Sequence, residues 1–88
     1  SVEEAVNMAG RACELSNFQQ PGTLDTLAAA CAASGKFDAA IEFAQKAIVL
    51  AAKAGNDKLA EQIRWRLVLY RDHKRYLDPD RVQWQGKR

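Results

Sequence analysis

A repeat inside the chain limits its possible folds more than any other feature of the sequence. When the chain is displaced by 35 residues, the segment at 2–15 aligns with the segment at 37–50. Similarity at such a period is typical of helical repeat proteins, because one helix pair cannot bury its apolar side without a stacked neighbour. An unrelated alanine-rich helical bundle is the alternative, and it gives no reason for the offset. The identical aligned pairs are Ala5/Ala40, Ala9/Ala44, Ala12/Ala47 and Leu15/Leu50.

One complete unit of the repeat lies at 24–50, LDTLAAACAASGKFDAAIEFAQKAIVL. Its pattern predicts two amphipathic helices, over 22–34 and 38–54, that meet at a sharp turn. Gly35 suits the turn because glycine readily adopts the left-handed backbone conformation that ends many helices. Pro21 fits the first turn of the earlier helix, where a missing amide has no partner to lose.

Two further helices are predicted on either side of this unit. The first covers 1–16, and the last covers 57–74 after a cap at Asn56 or Asp57. The residues predicted to face the core are Ala5, Val6, Ala9, Ala12 and Cys13 on the first helix, Leu24, Leu27, Ala28 and Cys31 on the second, Ala40, Ile41, Ala44, Ala47, Ile48 and Ala51 on the third, and Leu59, Ile63, Leu67 and Tyr70 on the last.

The last helix also carries a second apolar stripe, formed by Trp65, Val68 and Leu69, which one buried side cannot accommodate. Residues 77–88 are predicted to form an irregular tail, because Pro79 favours an extended or turning segment. The side chains at this end that could cover the second stripe are Tyr76, Leu77, Val82 and Trp84.

The composition fits one small all-α domain. Of the 88 residues, 48% are hydrophobic and 27% are charged, and much of the apolar share is alanine, which suits closely packed helices. No apolar run approaches the roughly 20 residues that a membrane helix needs, and the first helix does not have the pattern of a signal peptide. We therefore expect a soluble segment, with the cytoplasm as the favoured compartment.

Cys13 and Cys31 are expected to be buried thiols. They lie on apolar helix faces and do not have the spacing of metal ligands. If the first two helices form an antiparallel pair that turns near Gln19, the cysteines lie roughly 9 Å apart along the helix axis. A disulfide requires Cα atoms within about 7 Å, so none is expected.

The complete unit resembles the tetratricopeptide repeat (TPR), whose first helix has the pattern W-x2-L-G-x2-Y and whose second helix carries small residues. The first helix, the turn and the second helix are represented by Leu24-x2-Leu27-Ala28-x2-Cys31, Gly35-Lys36-Phe37-Asp38 and Ala40-x3-Ala44-x2-Ala47. The departures from the pattern are Leu24 for Trp, Ala28 for Gly, Cys31 for Tyr, Ala44 for a bulky residue and Ala52 for the closing Pro.

The resemblance implies a right-handed solenoid of antiparallel helix hairpins, with about four helices before the tail. Within a TPR-like module at 1–76, residues 1–16 are the second helix of a truncated repeat, 22–54 a complete repeat and 57–74 a capping helix. The stretches AGRACEL, PGTLDTLAAACAASGKFDAAI and LVLYRDHKRY are similar to the last repeats of large bacterial TPR proteins. On this resemblance the chain is a C-terminal fragment of a longer protein.

The resemblance also implies a protein-interaction scaffold. In TPR proteins the first helices of successive repeats line a concave groove that receives a peptide or a partner protein. One subfamily binds the C-terminal carboxylates of chaperones through Lys, Asn and Arg, and the residues present here argue against that ligand. The candidate groove residues are Asp25, Thr26, Ala29, Ala32 and Ala33 on the second helix and Gln62, Arg66 and Leu69 on the last.

Two other functions remain as alternatives. In the first, the segment ends a solenoid, and an exposed Ala/Val/Met face on the first helix promotes a homodimer. The second is nucleic-acid binding by the basic end, where 57–88 carries a formal charge of +4 against −2 for 1–56. Interspersed carboxylates make nucleic acid the less favoured partner. The candidate nucleic-acid-binding residues are the basic side chains Arg64, Arg66, Arg71, Lys74, Arg75 and Arg81 and the aromatic side chains Trp65, Tyr70, Tyr76 and Trp84 that lie among them.

No motif indicates catalysis. The sequence has no Gly-rich phosphate loop, no metal-spaced ligand cluster and no nucleophile elbow. His73 is at a predicted helix end, where a capping or surface role is expected. Asp78 and Asp80 flank Pro79, and turn chemistry explains that pair. We expect neither an enzyme nor a bound cofactor.

Overall fold

Four helices follow one another in the computed structural model, which describes residues 2–15 and 17–77. They are α1 (Val2–Leu15), α2 (Pro21–Ala33), α3 (Phe37–Lys53) and α4 (Asp57–Leu77). No strand occurs in these two ranges, so the all-α prediction is confirmed. None of the helices that the structure describes is long and apolar enough to span a lipid bilayer.

The predicted helix boundaries hold within one residue, except at the end of α4. That helix continues to Leu77, whereas the sequence predicted an end at 74 and a tail from 77. Neither glycine nor proline occurs after Gly55 until Pro79, and proline disfavours helical backbone in the residue just before it. Nothing therefore stops the helix earlier. The rest of the predicted tail, 78–88, lies outside the described residues, as do the side chains of Tyr76 and Leu77.

Glycine ends α2 and α3 in the same way. Gly35 has a φ of 82° and Gly55 a φ of 75°, a left-handed conformation that residues with a β-carbon rarely adopt. In each turn the next residue donates its amide to the carbonyl five residues earlier, at 2.9 Å. These bonds satisfy carbonyls that the end of a helix would otherwise leave without a partner.

Asn56 is the cap of α4. Its Oδ1 accepts a hydrogen bond from the amide of Leu59 at 3.2 Å, which is the usual contact of an N-cap side chain. Asp57 is the first residue of the helix and lies in the first turn, where the helix dipole favours a carboxylate. The two residues therefore have separate roles at this helix start.

Helices that are consecutive in the chain pack against one another. The extensive contacts are α1 with α2, α2 with α3, and α3 with α4. Asp38 at the start of α3 forms an ion pair with Lys74 near the end of α4, so these two helices run antiparallel. The other turns are similarly short, and the helices alternate in direction along the stack.

Alanine forms much of the contact surface between the helices, because small side chains let helix backbones approach closely. The buried alanines of α3, given at the end of this paragraph, form an alanine ladder along that helix. The largest fully buried side chains of the core are Leu24, Ile63 and Cys13. Cys31 is 4% exposed, so both cysteines are core residues, as predicted. The alanines of α3 with no exposed surface are Ala40, Ala44, Ala47 and Ala51.

The prediction for α1 is partly wrong. Ala9 and Cys13 are buried, but Ala5, which was predicted to face the core, is exposed. Leu15, at the end of the same helix, is 90% exposed. The reason is the number of neighbours: α1 has its extensive contacts with α2 alone, so one half of its apolar stripe is covered. The periodicity of a helix shows which residues share a face, and it does not show how much of that face is covered.

Candidate partner-binding surface

An ion pair joins α2 to α4, two helices that are not consecutive in the chain. Arg66 Nη1 donates a hydrogen bond to Asp25 Oδ2 at 2.5 Å. The Asp25 side chain is 17% exposed and the Arg66 side chain 42% exposed. A partly sheltered pair is screened by salt less than one on the open surface. Because α2 and α4 both pack on α3, this bond holds them side by side.

The second oxygen of the Asp25 carboxylate, Oδ1, is buried and has no hydrogen-bond partner. Arg66 is therefore the group that offsets the cost of sheltering this carboxylate from water. Both residues were predicted to contact a ligand. In the structure they pair with each other at the seam between the two helices, and their contact with a ligand stays a prediction.

Tyr70 lies beside the seam and is 8% exposed. Burial raises the pKa of its hydroxyl above the ordinary value, and the Asp25 carboxylate raises this pKa further while Arg66 lowers it. Burial also raises the pKa of the Cys31 thiol, against a smaller lowering by Lys36. Both groups are therefore neutral at neutral pH.

Alkaline pH should weaken the fold through these two groups. Each pKa is raised in the folded state, so the stability that each neutral form contributes is complete below the ordinary values, 9.0 for Cys31 and 10.0 for Tyr70. That contribution is lost as the pH rises through the folded-state values. Urea unfolding should show a falling free energy of unfolding above about pH 9. Tyr70→Phe should flatten the decline above about pH 10, and an unaltered profile in that variant would contradict the assignment.

Exposed side chains of α2 and α4 flank the seam and form what we call the α2–α4 surface. From α2 come small side chains, and from α4 come two large apolar ones, Trp65 at 66% exposure and Leu69 at 42%. Large exposed apolar groups that lie close together often mark an interaction site. The α2–α4 surface consists of Thr26, Ala29 and Ala33 from α2 and Gln62, Trp65 and Leu69 from α4.

Most of the predicted groove residues lie on this surface: Thr26, Ala29, Ala33, Gln62 and Leu69 are all exposed. Ala32 differs, because it is half-buried and packs against the core. Trp65 was not among the predicted groove residues. It lies three residues after Gln62 and four before Leu69, and this spacing places all three on one side of a helix. That spacing is visible in the sequence and would have identified it.

The chain was compared with protein families, with curated proteins and with solved structures. No family model, curated protein or solved structure matches it. The resemblance to the TPR remains a prediction from the 35-residue offset and from the motif residues quoted above.

The basic end of the chain offers less to nucleic acid than its composition indicates. Arg66 and Lys74 form ion pairs with carboxylates of α2 and α3. Tyr70, at 8% exposure, is too buried to stack on a base. Arg81 and Trp84 lie outside the described residues.

His73 is exposed on α4 and contacts Phe37 of α3. Its ring stacks on Phe37, with centroids 5.5 Å apart and 10° between the ring planes, and its Nδ1 lies 3.1 Å from the carbonyl oxygen of Leu69. Because α4 continues to Leu77, His73 lies within the helix and the expectation that it lies at the helix end is wrong. Across 2–15 and 17–77, no three His, Cys, Asp or Glu residues are grouped so that they could hold a metal ion.

Proposed function

We propose that this chain is a protein-interaction module, the C-terminal part of a TPR-like right-handed solenoid, whose α2–α4 surface binds a peptide or partner protein. The observation that carries the proposal is the 2.5 Å bond between Asp25 and Arg66. This bond joins α2 and α4, which are far apart in sequence, so that their exposed side chains form one surface. A surface that is ordered before binding loses less conformational entropy when the partner arrives.

The chemistry of the surface favours an apolar partner with a few polar groups. Trp65 and Leu69 supply contact area, and exposed tryptophan is among the residues that most often dominate binding energies. The small side chains of Ala29 and Ala33 let a partner backbone approach α2 closely. Thr26 is at the edge of this strip. The proposed activity is binding, without catalysis and without a cofactor.

The equivalence of α2 and α4 supports the TPR-like arrangement. Three buried positions of α2 are matched, 36 residues later, by three buried positions of α4. α4 is then the counterpart of the first helix of a repeat, and such helices line the groove in TPR proteins. The matched pairs are Leu24/Ala60, Leu27/Ile63 and Cys31/Leu67.

Peptide selection tests the proposal. A random peptide library displayed on phage should yield binders to the 88-residue chain, and NMR shift changes on adding a selected peptide should cluster on the α2–α4 surface. The double variant Ala29→Glu/Ala33→Glu should weaken binding by at least about tenfold, because two carboxylates would be desolvated under the peptide.

The matched control is Ala52→Glu, which also replaces an exposed helical alanine but does so on α3. It should leave the affinity unchanged. An equal loss in the control, or shift changes confined to α1, would contradict the assignment of the site. Circular dichroism on each variant separates loss of binding from loss of fold.

A further inference from the structure

α1 leaves uncovered a face that its counterpart α3 covers. At the 35-residue offset, Ala40 is fully buried whereas Ala5 is exposed. Phe43 is half-buried against the core, whereas its counterpart Met8 is 71% exposed. The last pair differs in the same way, with Leu50 half-buried and Leu15 90% exposed. We name this side of the helix the α1 open face; Ala12 on it is half-buried, and its exposed residues are Ala5, Met8 and Leu15.

The arrangement of the helices shows what is missing from this face. α3 has extensive contacts with both α2 and α4, whereas α1 has them with α2 alone. α1 aligns with α3 at an offset of 35 residues, and α2 aligns with α4 at an offset of 36 residues. The contact of α1 with α2 therefore corresponds to the contact of α3 with α4. The α1 open face therefore corresponds to the side of α3 that packs on α2. A shallow depression on it is lined by Met8, Arg11, Ala12, Glu14 and Leu15.

α4 has the complementary deficiency. At the 36-residue offset, Ala28 of α2 is fully buried and its counterpart Arg64 is exposed. Ala32 is half-buried, and its counterpart Val68 is 46% exposed. In α2 these positions are covered because that helix has neighbours on both sides, whereas α4 has extensive contacts with α3 alone. Arg64 and Val68, with the exposed Glu61, form the α4 open face.

The internal repeat indicates that the α1 open face and the α4 open face can pack on each other. α4 is the counterpart of α2, and α1 is the counterpart of α3. We propose that a second copy of this chain docks its α4 open face on the α1 open face, head to tail, and so reproduces between two chains the packing of α2 on α3 within one chain. This inference concerns the 88-residue chain itself and does not depend on a ligand at the α2–α4 surface. In a longer solenoid, a helix that precedes α1 would occupy the place that the second copy takes here.

Charge favours this pairing over a symmetric one. α1 carries three carboxylates and one arginine, a formal charge of −2. α4 carries six lysine or arginine side chains and three carboxylates, a formal charge of +3 with His73 neutral. Arg66 and Lys74 are paired with carboxylates of α2 and α3, so the charge of α4 that remains is +1. Two α1 helices would repel each other, as would two α4 helices, whereas α1 and α4 attract. The association should therefore weaken as salt concentration rises.

The geometry also sets the strength and the size of the assembly. One helix on one helix buries less surface than the roughly 1,200 Å² of a standard interface, so the association should be weak. Two different faces meet at each junction, and such a junction leaves one open face at each end of the assembly. The average mass should therefore rise beyond two chains as concentration increases.

Two variants of the full chain test the proposal. Met8→Lys replaces an apolar group by a cation on the α1 open face, and Val68→Glu replaces an apolar group by an anion on the α4 open face. Both sites are exposed, so both chains should fold. By sedimentation, each variant alone should associate at least about tenfold more weakly than the unchanged chain. An equimolar mixture should form a one-to-one dimer of unchanged affinity, because it retains one intact junction.

Three results would overturn the proposal. One is a monomeric mass for the unchanged chain at every concentration. Another is self-association of Val68→Glu at full strength, which would indicate a symmetric α1 pairing. The third is a mixture of the two variants that gains no mass over its components. Val49→Lys, at a 53% exposed position of α3, is the control and should associate like the unchanged chain.

Discussion

Leu24→Ala should lower the free energy of unfolding by about 3 kcal/mol, because truncation of a buried leucine loses apolar contact and leaves a cavity. Leu24 has no exposed surface and is among the largest fully buried side chains. A domain of this size has a thin core, so a loss of this magnitude is a large fraction of its total stability. Urea unfolding of dilute protein, followed by circular dichroism, measures the change.

Leu15→Ala is the matched control, because it makes the same chemical change at a side chain that is 90% exposed. It should change the free energy of unfolding by no more than about 0.5 kcal/mol. Comparable losses in the two variants would show that α1 is covered in solution in a way that the structure does not describe. The two variants together measure how much more a buried leucine contributes to the free energy of unfolding than an exposed one.

Ala44→Leu should lower the free energy of unfolding by about 2–3 kcal/mol, for the opposite reason. Ala44 is fully buried in the alanine ladder of α3, which packs on α2 and on α4. A leucine there has no space, so the helices must separate or the side chain must adopt a strained rotamer. Thermal unfolding should show the loss as a lower melting temperature.

Ala52→Leu controls for helix propensity, because Ala52 is an exposed position of the same helix. Alanine and leucine have similar helix propensities, so this variant should unfold like the unchanged protein. If Ala44→Leu were equally harmless, the close contact of α3 with its neighbours would be contradicted.

The helices and turns could be predicted because their causes are local. Gly35 ends α2 through its own backbone conformation, and Pro21 begins α2 because of its own missing amide. The end of α4 was predicted too early, at 74, although no residue there prevents a helix. The described helix continues to Leu77, and the next residue in the sequence that disfavours a helix is Pro79.

The surface was predicted less completely because part of its cause is tertiary. The periodicity of a helix identified Ala29 and Leu69 as outward residues, and both are exposed. The bond between Asp25 and Arg66 spans 41 residues of sequence, and no local pattern indicates it. The exposure of Leu15 likewise depends on how many helices surround α1, which its own residues do not determine.

The sequential packing of the four helices also has a kinetic consequence. Contacts between consecutive helices need only short loops to close, and chains with such local contacts fold rapidly. Folding can begin at the α2–α3 hairpin and extend one helix at a time towards either end. α1 can then detach and reattach while the other three helices remain folded, so the lifetime of the whole molecule and the lifetime of its α2–α4 surface are separate quantities.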